Sequence, residues 1–422
     1  MIPRRYLFVV WTFCLSVLLY VDRICVSAAK TEIATDLSLD DRQIGWVLSM
    51  FALGYALFQT PGGWLADRLG PRRALTLIVV LWSTFTGLTA AAFNYASMLV
   101  VRFIFGAGEA GAFPSLARAT YSWIPMQERG AVQGINFSGS RVGGAISLAT
   151  LPLMIDALGW KASFLVLMVV GFGWAMLWHW WFRDDPAEQP GIDAKELEYI
   201  LAHRQQPTGV SVESPVREER STLSAIASSP NVWLLSLQYL CSNFTFFFCL
   251  TWLFPHMQKT YDLSGTEAGL YSAVPLMCGA FGNWTSGWLV DAIFRRGRWV
   301  WSRRAPAMMG FGLAVIGLAG TFSAGSAWSA AAWFSVAIFG ADMTLAPSWS
   351  VCIDIGKQHS GLVSGTMNMF GNLGSFLTSL AFPYLAAMTR SNQPFFMTAA
   401  ALNVLAIFLW LFISPQKRML TS

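Results

Sequence analysis

The chain has 422 residues, 55% of them hydrophobic and 12% charged. A soluble domain carries about 25% charged residues, so a freely soluble protein is excluded. The formal net charge of +5 invites a nucleic-acid reading, which the placement of the basic residues removes.

Stretches 74–101, 162–182, 231–258, 268–290, 305–341 and 360–389 contain no Asp, Glu, Lys or Arg. Each has room for at least one membrane-crossing helix of about 20 apolar residues. The opening MIPRRYLFVVWTFCLSVLLYVDR has the outline of a signal peptide, but no small-residue cleavage site follows its apolar run closely, so it reads as a retained first span. Spans are expected at 6–29, 43–66, 74–93, 95–117, 131–155 and 160–182, then at 231–256, 266–291, 305–325, 328–351, 360–387 and 393–414. The fold class is therefore an all-α membrane protein of twelve transmembrane helices in two pseudo-symmetric six-helix halves.

Arg23, Arg102 and Arg141 fall inside spans. Lys30, Arg42, Lys161, Lys259 and Arg390 fall on one side of the membrane. The other side is richer, with Arg4, Arg5, Arg68, Arg72, Arg73, Arg295, Arg296, Arg298, Arg303, Arg304, Lys417 and Arg418 among its basic residues. The excess of Lys and Arg marks that side as cytoplasmic, both termini included. The basic clusters are topological determinants, and no nucleic-acid partner is expected. Cys14, Cys25, Cys241, Cys249, Cys278 and Cys352 lie in or near apolar segments without CxxC or metal-ligand spacing, so neither disulfides nor a metal or other cofactor is expected.

One long polar segment, 184–229, separates an N-terminal half (1–183) from a C-terminal half (230–422). It holds DDPAEQP, a charged helix candidate near 193–204 and a Pro/Ser/Glu-rich linker. An internal repeat supports the split. GWLADR (63–68) returns as GWLVDA (287–292), and GINFSGSRVGGA (134–145) shares its glycine spacing with GTMNMFGNLGSF (365–376). Two six-helix halves around a shared ligand site is a transporter architecture.

GGWLADRLGPRR (62–73) resembles the signature loop between the second and third helices of the major facilitator superfamily. Gly63 admits a neighbouring helix. Asp67 can cap a helix start or pair with an arginine, and Arg68 with its neighbours holds the loop at the cytoplasmic surface. Asp291 closes the second, degenerate copy. These residues are the candidates for conformational gating. Within that superfamily, YVDRICVSAA (20–29), RFIFGAGEAGAFPS (102–115) and WIPMQERGAVQG (123–134) look like the anion:cation symporter family. That family includes bacterial proton-coupled carriers of galactonate, glucarate and hexuronate and, more distantly, vesicular glutamate and sialic-acid carriers.

In such a fold the first and fourth spans line a central cavity, where Asp22, Arg23, Arg102 and Glu109 can converge beside the small residues Gly106, Gly108 and Gly111. Charges inside a membrane generally mark function, and buried ion pairs stabilise poorly. Burial favours the neutral form of a carboxylate and a nearby arginine opposes it, so either acid can load and release a proton. The resemblance implies proton coupling by the Asp of the first span and the Glu of the fourth, here Asp22 and Glu109. Arginine keeps its proton, so Arg23 and Arg102 are candidates to hold a substrate carboxylate or to hold the acids until substrate displaces them. Arg141 either snorkels to the cytoplasmic interface or faces the cavity and takes a second carboxylate.

Tyr55 corresponds to a substrate-contacting tyrosine in the resembled carriers. Tyr20, Asn136, Asn243, Ser348, Asn368 and Asn372 can hydrogen-bond hydroxyl groups or bond one helix to another. Asp342 is either a second protonation site or a helix-end residue. His179, His203, His256 and His359 lie at or beyond span ends and receive no proton role.

The expected function is proton-coupled import of an organic anion by alternating access, in a monomer of the bacterial cytoplasmic membrane whose partners are the substrate, protons and lipid. A sugar acid (aldonate, hexuronate or aldarate) is the favoured substrate, with another carboxylate, aromatic or small dicarboxylic, as the alternative. A transporter-like membrane sensor acting through 184–229 is the rival outside that class. No GxxxxGK[ST] loop is present, which argues against a primary pump, and no catalytic constellation suggests an enzyme.

Overall fold

A computed structural model describes residues 2–205 and 219–417; most of the Pro/Ser/Glu-rich linker, and Arg418, lie outside them. The helices are α1 (Arg4–Ala28), α2 (Lys30–Asp36), α3 (Asp41–Leu69), α4 (Pro71–Thr89), α5 (Tyr95–Glu109) and α6 (Ala112–Trp123). They continue with α7 (Arg129–Leu158), α8 (Trp160–Trp181), α9 (Ala194–His203), α10 (Glu219–Ser228), α11 (Pro230–Thr251) and α12 (Leu253–Thr260). The last are α13 (Gly265–Arg295), α14 (Trp299–Gly320), α15 (Ala327–Met343), α16 (Leu345–Gly356), α17 (Ser360–Thr389) and α18 (Gln393–Phe412). Each stretch expected to cross the membrane is mostly helical. By length and apolarity alone, 8 helical stretches among the described residues qualify as spans, or up to 9 with a bent pair inside α7. That count takes α5 with α6, and α15 through α17, as single stretches.

Two compact units are present. One comprises Met1–Ile124, Gly139–Gln206 and Lys357–Met369; the other comprises Pro125–Ser138, Pro207–Gly356 and Phe370–Ser422. α7 and α17 each contribute residues to both.

Three expected spans, 95–117, 231–256 and 328–351, are each broken into two helices, and a proline follows each break by a few residues. Pro114, Pro255 and Pro347 each stand third in the second helix, α6, α12 and α16. A proline lacks the N–H that would bond the carbonyl four residues back, so the helical ladder opens at Ala110, Thr251 and Met343. Proline is tolerated in the first turn of a helix, where that donor has no helical partner. Hydropathy averages over such breaks, and sequence reading missed them.

Helix starts follow local chemistry. Asp40 accepts from Gln43 N (2.7 Å) and Gln43 Oε1 accepts from Asp40 N (3.0 Å), a capping box that opens α3. Gly70, at φ 78°, is the single residue between α3 and α4, and Pro71 then starts α4 with its ring-fixed φ. α1 has no local side-chain cap. Its cap comes from α9, where Glu196 accepts from the backbone N–H groups of Arg4 and Arg5, both at 2.9 Å. The Arg5 guanidinium lies over the Tyr199 ring at 4.9 Å. The helix expected near 193–204 is thus a docked element that holds the start of α1.

Candidate functional site

Within the first unit, α3 and α5 pack side by side. Gly106 makes this approach possible, because a Cβ there would meet the Phe51 carbonyl. The packing sets Phe51 and Tyr55 of α3 against the charged residues of α1 and α5. Arg23 directs Nε and Nη2 at one oxygen of Glu109, Oε1. Its guanidinium lies over Tyr55 at 4.3 Å, Tyr20 at 5.1 Å and Phe51 at 5.4 Å. Arg102 lies over Phe105 at 4.6 Å and over Phe51 at 5.1 Å, so one phenyl ring serves both guanidinium groups.

The four charges are not equally satisfied. Glu109 is 1% exposed and closes on Arg23, yet its Oε2 has no hydrogen-bond partner. Asp22 is equally buried and neither of its oxygens has one. Arg102 makes no ion pair among the described residues, and its Nε is buried without a partner. Asp22, Arg102 and Glu109 still interact electrostatically. The expected convergence of the two acids with two of the arginines is therefore present within one unit, as one closed pair, Arg23–Glu109, and one open pair, Asp22 and Arg102. Arg141, on α7 of the same unit, is buried.

The uncharged candidates belong mostly to the second unit, and Ser348 and Asn243 bond to helix groups. Ser348 donates to Thr344 O (2.6 Å) and accepts from Gln238 Nε2 (3.1 Å), while Gln238 Oε1 accepts from Trp410 Nε1 (3.1 Å). Asn243 donates to Tyr239 O at 2.9 Å. Asn136 is buried on α7 and Asn372 half-buried on α17. Asp342 is the next-to-last residue of α15 and lies where a Cβ on Gly279 of α13 would be.

The repeated motif makes the same bonds twice. Asp67 accepts from the N–H groups of Gly361 (2.9 Å) and Leu362 (2.7 Å) at the start of α17. Asp291 accepts from those of Gly130 (2.8 Å) and Ala131 (2.8 Å) at the start of α7. Four residues earlier, Gly63 abuts the Gly361 carbonyl and Gly287 abuts Gly130. Asp67 also faces Arg118 Nε at 3.9 Å, and Arg68 lies over the Trp64 ring at 5.1 Å. A carboxylate on the exposed N–H groups of a helix start joins charge-assisted bonds to the helix dipole.

Sequence reading missed one cluster entirely. Asp354, at the end of α16, binds Arg129 Nη1 (2.6 Å), Arg303 Nε (2.9 Å) and Trp299 Nε1 (3.1 Å). The side chains of all three charged residues are fully buried. Arg303, counted with the cytoplasmic basic residues, is thus an interior ion-pair partner.

Residues 12–379 match the Major Facilitator Superfamily. The chain is 32% identical over 403 residues to a probable sulfoacetate transporter of Cupriavidus necator, covering 94% of this chain and 90% of that one. It is 30% identical over 405 residues to a probable galactarate/D-glucarate transporter of Escherichia coli, covering 92% and 88% respectively. Among solved structures, a proton:xylose symporter bound to 6-bromo-6-deoxy-D-glucose shares the fold, with a TM-score of 0.72 at 16% identity and 98% of each chain covered. A multi-pass membrane carrier and not an enzyme, the chain belongs to the Major Facilitator Superfamily, in its anion:cation symporter branch.

Proposed function

We propose that the protein imports an organic anion together with protons across a bacterial cytoplasmic membrane, as a monomer with both termini in the cytoplasm. The observation that carries this reading is the split state of the buried charges: Arg23 ion-paired to Glu109, with Asp22 and Arg102 close to them but outside any ion pair. Asp22, buried and outside any ion pair among the described residues, is the proposed proton carrier. An incoming carboxylate competes with Glu109 for Arg23. Once displaced, Glu109 loses its counter-charge and takes up a proton. Arg102, held by aromatic faces instead of an acid, is available to the anion without breaking any pair. Substrate arrival and proton loading are coupled through one guanidinium, and transport proceeds by alternating access.

A sugar acid is the favoured substrate, in keeping with the relative named for galactarate and D-glucarate. A small dianion is the second reading. It is favoured by the relative named for sulfoacetate.

The test is uptake into proteoliposomes under an imposed pH gradient, across aldonates, hexuronates, aldarates, aromatic acids, small dicarboxylates and sulfonated acids. Glu109→Gln is expected to keep exchange of internal for external substrate while losing the response to the gradient. Undiminished gradient-driven uptake by that variant would remove Glu109 from the coupling role. Uptake of sulfonates or dicarboxylates with no sugar acid transported would decide for the second substrate reading.

A further inference from the structure

Most arginines at the motif-bearing ends of the two units are engaged. Arg4 and Arg5 bind α9, Arg72 binds Asp184 and the His179 carbonyl, Arg118 faces Asp67, and Arg129 and Arg303 share Asp354. The turn between α13 and α14 differs. Arg295, Arg296 and Arg298 are all exposed, and among the described residues none makes an ion pair or a side-chain hydrogen bond.

Their position on α13 gives them a ligand. Met277, Phe281, Trp284 and Trp288 are exposed, and with Arg295 they recur at helical spacing. They form one stripe, which runs about 27 Å along the helix at 1.5 Å per residue. That length is close to the hydrocarbon thickness of a bilayer, about 30 Å. Trp288, an interfacial residue type and 62% exposed, lies about 10 Å above Arg295. The apolar stripe therefore ends in an arginine at the depth of lipid headgroups. Gly297, at φ 76°, turns the chain so that Arg298 follows at the start of α14, where Trp301 is again exposed.

We propose that this turn is a docking site for the headgroup of an anionic phospholipid, seated by Arg295, Arg296 and Arg298 with its acyl chains along the exposed stripe of α13. A topological signal needs only positive charge near the membrane. The added features here are three exposed cations that make no ion pair among the described residues, with only Asp291 one turn before Arg295 acting on one of them, and an exposed aromatic stripe that ends at the first. Each arginine near an anionic surface strengthens attachment about fivefold.

The full-length protein in detergent is titrated with phosphatidylglycerol, phosphatidylcholine or inorganic phosphate while its thermal unfolding is followed. Phosphatidylglycerol is expected to raise the midpoint by about 3 °C or more, and the other two to raise it little. The triple variant Arg295→Gln/Arg296→Gln/Arg298→Gln should lose that increment, and a charge-matched control, Arg73→Gln/Lys195→Gln/Lys417→Gln, should keep it. An equal rise with phosphate would mean a free-anion site, and an equal rise with phosphatidylcholine would mean unspecific lipid contact. Either result, or a triple variant that keeps the increment, overturns the proposal. Should the triple variant fail to fold, phenylglyoxal labelling of the wild type decides: phosphatidylglycerol must shield Arg295, Arg296 and Arg298 and leave Arg73 reactive, and shielding of all four or of none rejects the site.

Discussion

Glu109 and Asp342 hold the same place in the two units: each lies in the last turn of a helix that is interrupted at once, and a proline, Pro114 or Pro347, is third in the next helix. Glu109 closes α5 just before the break, and its side chain meets Arg23. Pro114→Ala returns the missing N–H and allows the ladder to close through Ala110. Thermal stability is expected to hold or rise, while gradient-driven uptake falls about tenfold as Glu109 is drawn off Arg23, an effect of about 1.4 kcal/mol. Proteoliposome uptake and a thermal unfolding scan on the same preparation check both halves.

Tyr55 supports Arg23 with its ring face at 4.3 Å, so the ring matters more than the hydroxyl. Tyr55→Phe should leave substrate KM within about threefold of wild type. Tyr55→Leu removes a contact of about 1–2 kcal/mol and should raise KM about 5- to 30-fold. A large effect from Tyr55→Phe would instead assign the hydroxyl a direct bond to substrate. Arg23→Lys should behave like the leucine variant or worse, since an ammonium reproduces neither the planar stacking nor the two N–H groups on Glu109.

The charges of the first unit were legible in the sequence for a simple reason: an ionised side chain in an apolar run has no local explanation, so it draws attention wherever it pairs. Asp22, Arg23, Arg102 and Glu109 all stood out that way. The Asp354 cluster did not. Arg129 and Arg303 each adjoin a polar turn or a basic run, and charge counting put them on the cytoplasmic side; their shared acid is distant in sequence from both. Ser348 shows the opposite limit. A hydroxyl in a span signals a polar partner without naming it, and the partner is Gln238. The prolines of AFPS, LFPH and LAPS were visible throughout. Their positions inside runs long enough to span hid the breaks, because hydropathy weighs residues and not missing donors.

Asp354 neutralises two fully buried guanidinium groups. Asp354→Ala removes the acid and leaves the cations in a low dielectric, at a cost of about 3–5 kcal/mol. The expected outcome is a large loss of folded, detergent-extractable protein. Adding Arg303→Met to Asp354→Ala should recover part of it, because one of the stranded charges goes with its partner. Size-exclusion profiles of the single and double variants measure the recovery; a double variant worse than the single would show that Arg303 contributes stability independently of Asp354.

Asp67 and Asp291 offer the sharpest test of the gating role. Each carboxylate holds two backbone N–H groups at the start of a helix, and those helices, α17 and α7, are the two that contribute residues to both units. Asparagine preserves the shape but surrenders the charge, and one of its terminal atoms is a donor facing a donor. Each bond to a charged acceptor contributes about 1.5–3 kcal/mol, so Asp67→Asn and Asp291→Asn should each unsettle the conformer held here without touching the charges that meet substrate. Transport kinetics should show the maximal rate falling about tenfold in each variant while KM stays within about threefold. The two sites bond different helices within different units, so the double variant should lose about the product of the single losses. A rise in KM at unchanged maximal rate would place Asp67 in substrate binding instead, and a double variant no slower than either single would mean that both aspartates act on one shared step.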